Sequence, residues 1–157
     1  MPTANVETTD PKIFRTLNNC IETCTDGEKG YASAAADVRD PALKAVFHAY
    51  GMQRAGFVLA LQAAIGKLGG VPESEGTVKG AAHRGFMGVR MALEGRPDSA
   101  LVGECERGER AALLAYDRGF KRTPLDTLPK DIRATLIEQR AAIKTAHDDI
   151  LRRLAQH

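Results

Sequence analysis

Two short segments of this chain repeat each other and hold its most chemically capable side chains. Cys24-Thr25-Asp26-Gly27-Glu28-Lys29 and Cys105-Glu106-Arg107-Gly108-Glu109-Arg110 share a cysteine, a glycine, a glutamate and a basic residue at the same offsets. Downstream in each half stands a second match, Gln53-Arg54-Ala55 and Gln139-Arg140-Ala141. Two signals in the same order in both halves mark an internal repeat. Carboxylates near amides and guanidinium groups suit either of two chemistries: oxygen ligation of a hard cation, or a closed hydrogen-bonded network.

The elements that position these residues follow from apolar spacing. Asp10-Pro11 and Asp40-Pro41 each pair an N-cap with proline at the first helical position. The first helix starts at Pro11 with the series Ile13, Leu17, Ile21, Cys24, Tyr31, Ala35 and Val38, in which Glu28 fills the one missing position. The second folds back antiparallel with Leu43, Val46, Tyr50, Phe57, Ala60 and Ala64, interrupted by Gln53 and ending near Gly69-Gly70. A third helix over about Ser99 to Phe120 carries Val102, Cys105, Ala112, Tyr116 and Phe120, with Glu109 in the gap. The fourth, after Pro124 and Pro129, carries Ile132, Leu136, Ile143, Ile150 and Leu154, with Gln139 and His147 completing the stripe. Between the halves, Gly69 to Asp98 forms a long connection with a shorter helical pattern (Val78, Ala82, Phe86, Val89, Leu93), long enough to cross the bundle.

The expectation is therefore an all-α four-helix bundle of ferritin-like type, with a helix-containing crossover between helices 2 and 3. It forms one domain over residues 1–157, with 1–9 a flexible lead-in. If the hairpins pack about a pseudo-twofold axis, Glu28 and Glu109 meet Gln53 and Gln139 at one level inside the bundle. Gly27 and Gly108 beside them would permit close helix approach.

A charged carboxylate in a helical core costs several kcal/mol unless it is paired, metal-bound or protonated. Three readings stay open. The glutamine amides with Arg54 and Arg140 form a metal-free buried network; a divalent metal (iron, zinc or manganese) is held by Glu28 and Glu109 with help from Gln53, Gln139 or His147; or the stripe tilts and leaves the glutamates partly exposed. In a metal-free network, glutamine at both glutamate positions is expected to be neutral or stabilising.

Composition narrows the function classes. A net charge of +2 with mixed signs leaves no basic face for nucleic acid. The longest apolar runs, such as Gly56 to Ile65 with Gln62 inside, are too short to cross a membrane, and no export signal is read at the N-terminus, so a cytoplasmic protein is expected. The cysteines Cys20, Cys24 and Cys105 form no even-numbered framework and are expected to stay reduced. No Ser/His/Asp arrangement, phosphate-cradling loop or paired Cys-x-x-Cys motif occurs, so enzymatic activity is not the favoured reading.

Several segments, namely Leu17 to Gly27, Gln53-Arg54, His83-Arg84-Gly85, Glu104 to Glu109 and Ala146-His147-Asp148, together resemble a family of bacterial ferritin-like four-helix-bundle proteins of unknown function. The resemblance implies the fold and no established activity. In metal-loaded ferritin-like proteins helices 1 and 3 each give a glutamate, and helices 2 and 4 each give Glu-x-x-His. Glu28 and Glu109 fit the first requirement. Gln53-Arg54-Ala55-Gly56 and Gln139-Arg140-Ala141-Ala142 stand where the second is needed and supply neither carboxylate nor histidine.

Other candidates have bland readings beside functional ones. His147 reads first as a hydrogen-bonded core histidine. Glu104, Glu106 and Asp148 read as solvated helix charges. Cys24 and Cys105, a turn before each glutamate, read as small core residues before they read as zinc ligands. His83-Arg84 fits packing and ligand contact equally. Partners are left at a homodimer or a helix docked on the bundle, with no nucleic acid and no membrane.

Overall fold

The computed structural model describes residues 8–72 and 95–157, and its first two helices begin at the expected caps. Helix α1 spans Pro11–Asp37, with the Asp10 carboxylate accepting from the Lys12 amide at 2.9 Å. Helix α2 spans Pro41–Lys67, where Asp40 accepts from the Ala42 amide at 2.8 Å. Such caps satisfy amides that have no intrahelical partner and contribute about 1 kcal/mol each. Only Val38 to Asp40 separate the two helices, so they pack as an antiparallel hairpin. At the far end of α2, Gly69 takes a φ of +79°, which only glycine adopts without strain, and the Gly70 amide reaches back to the Ile65 carbonyl at 3.0 Å.

Helix α3 spans Asp98–Arg122, a 3-10 turn covers Leu125–Thr127, and helix α4 spans Lys130–Gln156. The expected helix over Val78 to Leu93 lies outside the described residues, as does the lead-in from Met1 to Glu7. Among the described residues the fold is all-α with no strand.

Hydrogen bonds at the two ends fix helix direction. The Arg39 and Asp40 amides donate to the Asp98 carboxylate at 2.9 and 3.0 Å, so α3 starts beside the α1–α2 turn. At the other end Thr16 and Thr123 join their hydroxyls at 2.9 Å, so α3 runs antiparallel to α1. Thr9 donates to the Leu68 carbonyl at 3.3 Å, placing the end of α2 at that same end. The chain thus leaves α2 at one end and enters α3 at the other. Helix α1 packs against α2 and α3, and α4 against α3 and more sparsely against α2, which leaves α2 and α3 as diagonal partners.

The core consists of two apolar clusters. One gathers Leu17, Ile21, Leu61, Ile65, Tyr116 and Leu136; the other gathers Tyr31, Leu43, Phe47, Leu101, Val102 and Ile150. Where they meet, the interior is polar. The apolar stripes expected for α1, α3 and α4 are buried nearly as read, but that of α2 is rotated. Phe47, Arg54, Leu61 and Ile65 face inward, Val46, Tyr50, Gln53 and Phe57 are half-buried, and Ala60 is exposed. The cause is visible in the sequence: α2 is apolar almost all round, with Met52 and Leu59 on its outer surface at 77% and 68% exposure, so spacing alone does not choose its inner face.

Candidate functional site

Arg54 and Glu109 meet at the junction of the two clusters. From α2, the Arg54 guanidinium crosses the bundle diagonal and donates Nη1–H and Nη2–H to Glu109 Oε2 and Oε1 on α3, at 2.8 and 2.7 Å. Both side chains are essentially inaccessible, at 2% and 1% exposure. Tyr31 of α1 donates its hydroxyl to the same Glu109 Oε1. The stem of Arg54 passes under Gly27, where a Cβ would stand 3.4 Å from Arg54 Cγ. Arg54 also lies 5.9 Å from the ring centroids of Tyr31 and Phe57, a cation–π arrangement on two sides.

Burial works against a charged guanidinium, but the hydrogen bonds and charge of Glu109 outweigh it and raise the pKa of Arg54. Burial and then the Glu109 charge push the Tyr31 hydroxyl well above its ordinary value, so it stays a donor. A bidentate pair with an added tyrosine donor is geometry that compensates the desolvation of a buried carboxylate.

A second chain of hydrogen bonds lies lower in the bundle. Tyr116 donates to Gln139 Oε1 at 2.7 Å and is met by Cys24 Sγ at 3.2 Å, while Gln139 Nε2 reaches the Phe57 carbonyl at 3.4 Å. Burial raises the Cys24 thiol to about 11 and Cys20 to about 12, so both remain protonated and apolar in behaviour. All three cysteines are free.

The remaining candidates lie elsewhere. Glu28 is half-buried on the α2 side of α1, its carbonyl 3.7 Å from where a Cβ on Gly51 would stand, and its carboxylate makes no hydrogen bond or ion pair among the described residues. The expected level of two glutamates and two glutamines is therefore not what forms: the partner of Glu109 is Arg54, and Gln53 keeps a buried Oε1 that no described residue meets. Nor does Arg140 join the buried network. It pairs with Asp117 at 2.6 Å near the surface, because Arg140 sits on the outer side of α4 and Arg54 on the inner side of α2. His147 Nε2 lies 3.1 Å from Glu106, which also takes Arg110 at 2.9 Å. Burial opposes ionisation of Glu106, yet the His147 hydrogen bond and the Arg110 charge together hold its carboxyl below the usual range. Asp148 pairs with Lys144 and Glu104 with Arg107, both on exposed surface. Among the described residues no three His, Cys, Asp or Glu side chains come together in a way that could hold a metal ion.

Sequence spacing missed Tyr31 and Tyr116 as network members. The available signal was that each lies on a buried stripe and brings a hydroxyl that needs a partner.

Beside the ion pair, between α1 and α3, lies a cavity of 410 Å³. Gly27, Gly30 and Gly108 line it, Arg54, Glu109, Tyr31 and Cys105 form its inner wall, and Asp26, Glu104 and Arg107 stand at its edge.

These features define an all-α protein of four described helices built around a diagonal buried ion pair, and no described helix is long and apolar enough to cross a membrane. A family model described as a domain of unknown function (DUF2383) matches residues 12–122, most of the chain, and the protein belongs to that family. The match takes in Tyr31, Arg54 and Glu109 and stops before Gln139 and His147. No curated protein matches the chain.

Proposed function

We propose that this protein is a ferritin-like, non-catalytic structural module in which the Arg54 guanidinium serves Glu109 as counter-ion where a metal-loaded relative would use a cation. One observation carries the reading: both oxygens of Glu109 are occupied by Arg54, and one also by Tyr31. A carboxylate so engaged has little to offer a hard cation unless the guanidinium is first displaced, which would leave a buried charge unpaired. The rest of the ferritin-type ligand set does not fit either, since Gln139 is spent on Tyr116 and the Phe57 carbonyl, and His147 on Glu106. The role we assign to the network is registry. A planar fork meeting a carboxylate across the diagonal fixes the rotation and height of α2 against α3, two helices that otherwise scarcely touch. We read the protein as cytoplasmic because three free thiols persist most readily in a reducing compartment.

The test is elemental analysis after purification without affinity metal, and again after incubation with iron(II), zinc or manganese(II) and gel filtration. Sub-stoichiometric metal and a melting temperature indifferent to chelator are expected. One metal per chain that disappears in a Glu28→Ala, Glu109→Ala variant overturns the proposal in favour of a degenerate metal site.

A further inference from the structure

The cavity between α1 and α3 is bordered by glycines that the ion pair does not need. Helix interiors disfavour glycine by about 1 kcal/mol relative to alanine, so mid-helix glycines usually answer a packing need. Gly119 on α3 has one: a Cβ there would come within 3.0 Å of Thr16 Cγ2, where α1 and α3 press together. Among the described residues Gly30 on α1 and Gly108 on α3 have none, because a Cβ at either would meet no described atom within 4 Å. Both face the 410 Å³ space, which falls in the range of small-molecule sites, about 300–1,000 Å³. The missing side chains keep open a volume that no described residue fills.

The charges around that space are uneven. Glu109 is matched by Arg54 on the inner wall and Glu104 by Arg107 at the edge, which leaves Asp26 with no ion pair or hydrogen bond among the described residues. Its carboxyl is raised by desolvation and then by the neighbouring Glu22. The Cys105 thiol on the inner wall is raised chiefly by burial, so it stays neutral and adds no charge to the lining. The rest of the lining is small and apolar, including Ala111 and Ala112.

We propose that this cavity binds a small organic cation, an amine with a compact apolar body, whose ammonium group pairs with Asp26 while the body fills the space left by Gly30 and Gly108. An anion of the same shape meets the Asp26 carboxylate, and a neutral isostere loses the pairing. No covalent step is involved. The contribution of Asp26 falls with added salt, because it stands at the rim.

The experiment uses the full chain and benzylammonium chloride as probe, with benzyl alcohol and sodium benzoate as neutral and anionic counterparts, followed by amide chemical shifts at low ionic strength. Saturable binding of benzylammonium with shifts centred on Gly27, Gly30 and Gly108 is expected, with benzyl alcohol weaker and benzoate weakest. Asp26→Asn should weaken benzylammonium by roughly threefold to fivefold, the size of a partly exposed ion pair, and leave benzyl alcohol unchanged. A Gly30→Ala, Gly108→Ala variant should remain folded and lose the probe. Benzoate binding as well as benzylammonium, shifts that map outside the cavity, no saturable shift, or full affinity in either variant would each overturn the proposal.

Discussion

Arg54 on α2 and Glu109 on α3 face each other across the diagonal of the bundle, two nitrogens on two oxygens at 2.7 and 2.8 Å, with almost no exposure of either side chain. The stability of the fold depends on keeping this pair whole. Glutamine at both Glu28 and Glu109 is expected from sequence to be neutral or stabilising in a metal-free network, but Glu109→Gln leaves the guanidinium uncompensated and should cost about 3–5 kcal/mol in urea unfolding. Removing the polar groups together, as Tyr31→Phe, Arg54→Met and Glu109→Met, should recover most of that loss, because no buried charge then remains. A triple variant as unstable as Glu109→Gln would contradict this account.

Tyr31→Phe alone tests the third arm of the network. It deletes a donor to a carboxylate that keeps both guanidinium bonds, so the expected cost is about 1.5–3 kcal/mol, the range for a hydrogen bond to a charged group. A change within a few tenths of a kcal/mol in the urea midpoint analysis would show that the bond contributes little.

Glycine substitutions should separate the two uses of that residue. Gly30→Ala and Gly108→Ala are each expected to stabilise the helices by up to about 1 kcal/mol, since the added methyl meets no described atom within 4 Å. Gly119→Ala should destabilise, because Thr16 stands 3.0 Å from the new carbon at a close helix crossing. Thermal unfolding of the three single variants reads this directly.

Acid should weaken the fold through its paired carboxylates. Glu106 lies below its reference value of 4.5 against the opposing effect of burial, held there by His147 and Arg110. Asp117 lies below 3.8, chiefly through its hydrogen bond from Arg140. Asp149 is also lowered, because Tyr50 and Arg153 outweigh its desolvation. With folded pKa values depressed, the unfolded chain binds more protons in that range, so the stabilisation is complete above the reference values and disappears as pH falls through the folded ones. Urea midpoints measured from pH 7 downward should fall on this limb, and Arg110→Ala should flatten it. An unchanged slope in that variant would remove Glu106 from the explanation.

Thiol chemistry should report opening of the lower cluster. With Cys20 and Cys24 raised to about 12 and about 11 by burial, the native thiols are protonated at pH 8 and shielded from solvent. Their alkylation should follow the unfolding equilibrium, accelerating in step with urea. Rapid labelling of both under native conditions would contradict the packing described.

Much of the architecture was legible in the order of residues. Asp10-Pro11 and Asp40-Pro41 announce helix starts by local chemistry, and the apolar series from Ile13 to Val38 and from Ile132 to Ile150 has one buried face because its other faces are polar. Composition and spacing also placed Glu109 and Gln139 inside, each filling a gap in such a series.

What tertiary structure alone decided is which groups meet. Helix α2 is apolar on nearly every side, so its rotation is set by contact with α1 and by the reach of Arg54, and a turn of one residue, about 100° on a helix, puts Arg54 in the centre and leaves Gln53 half-buried. That single rotation broke the symmetry the repeated segments suggested. Glu109 acquired a guanidinium while Glu28, its counterpart by sequence, came to lie against α2 with no partner among the described residues, because a local pattern specifies a face only when the opposite face is polar.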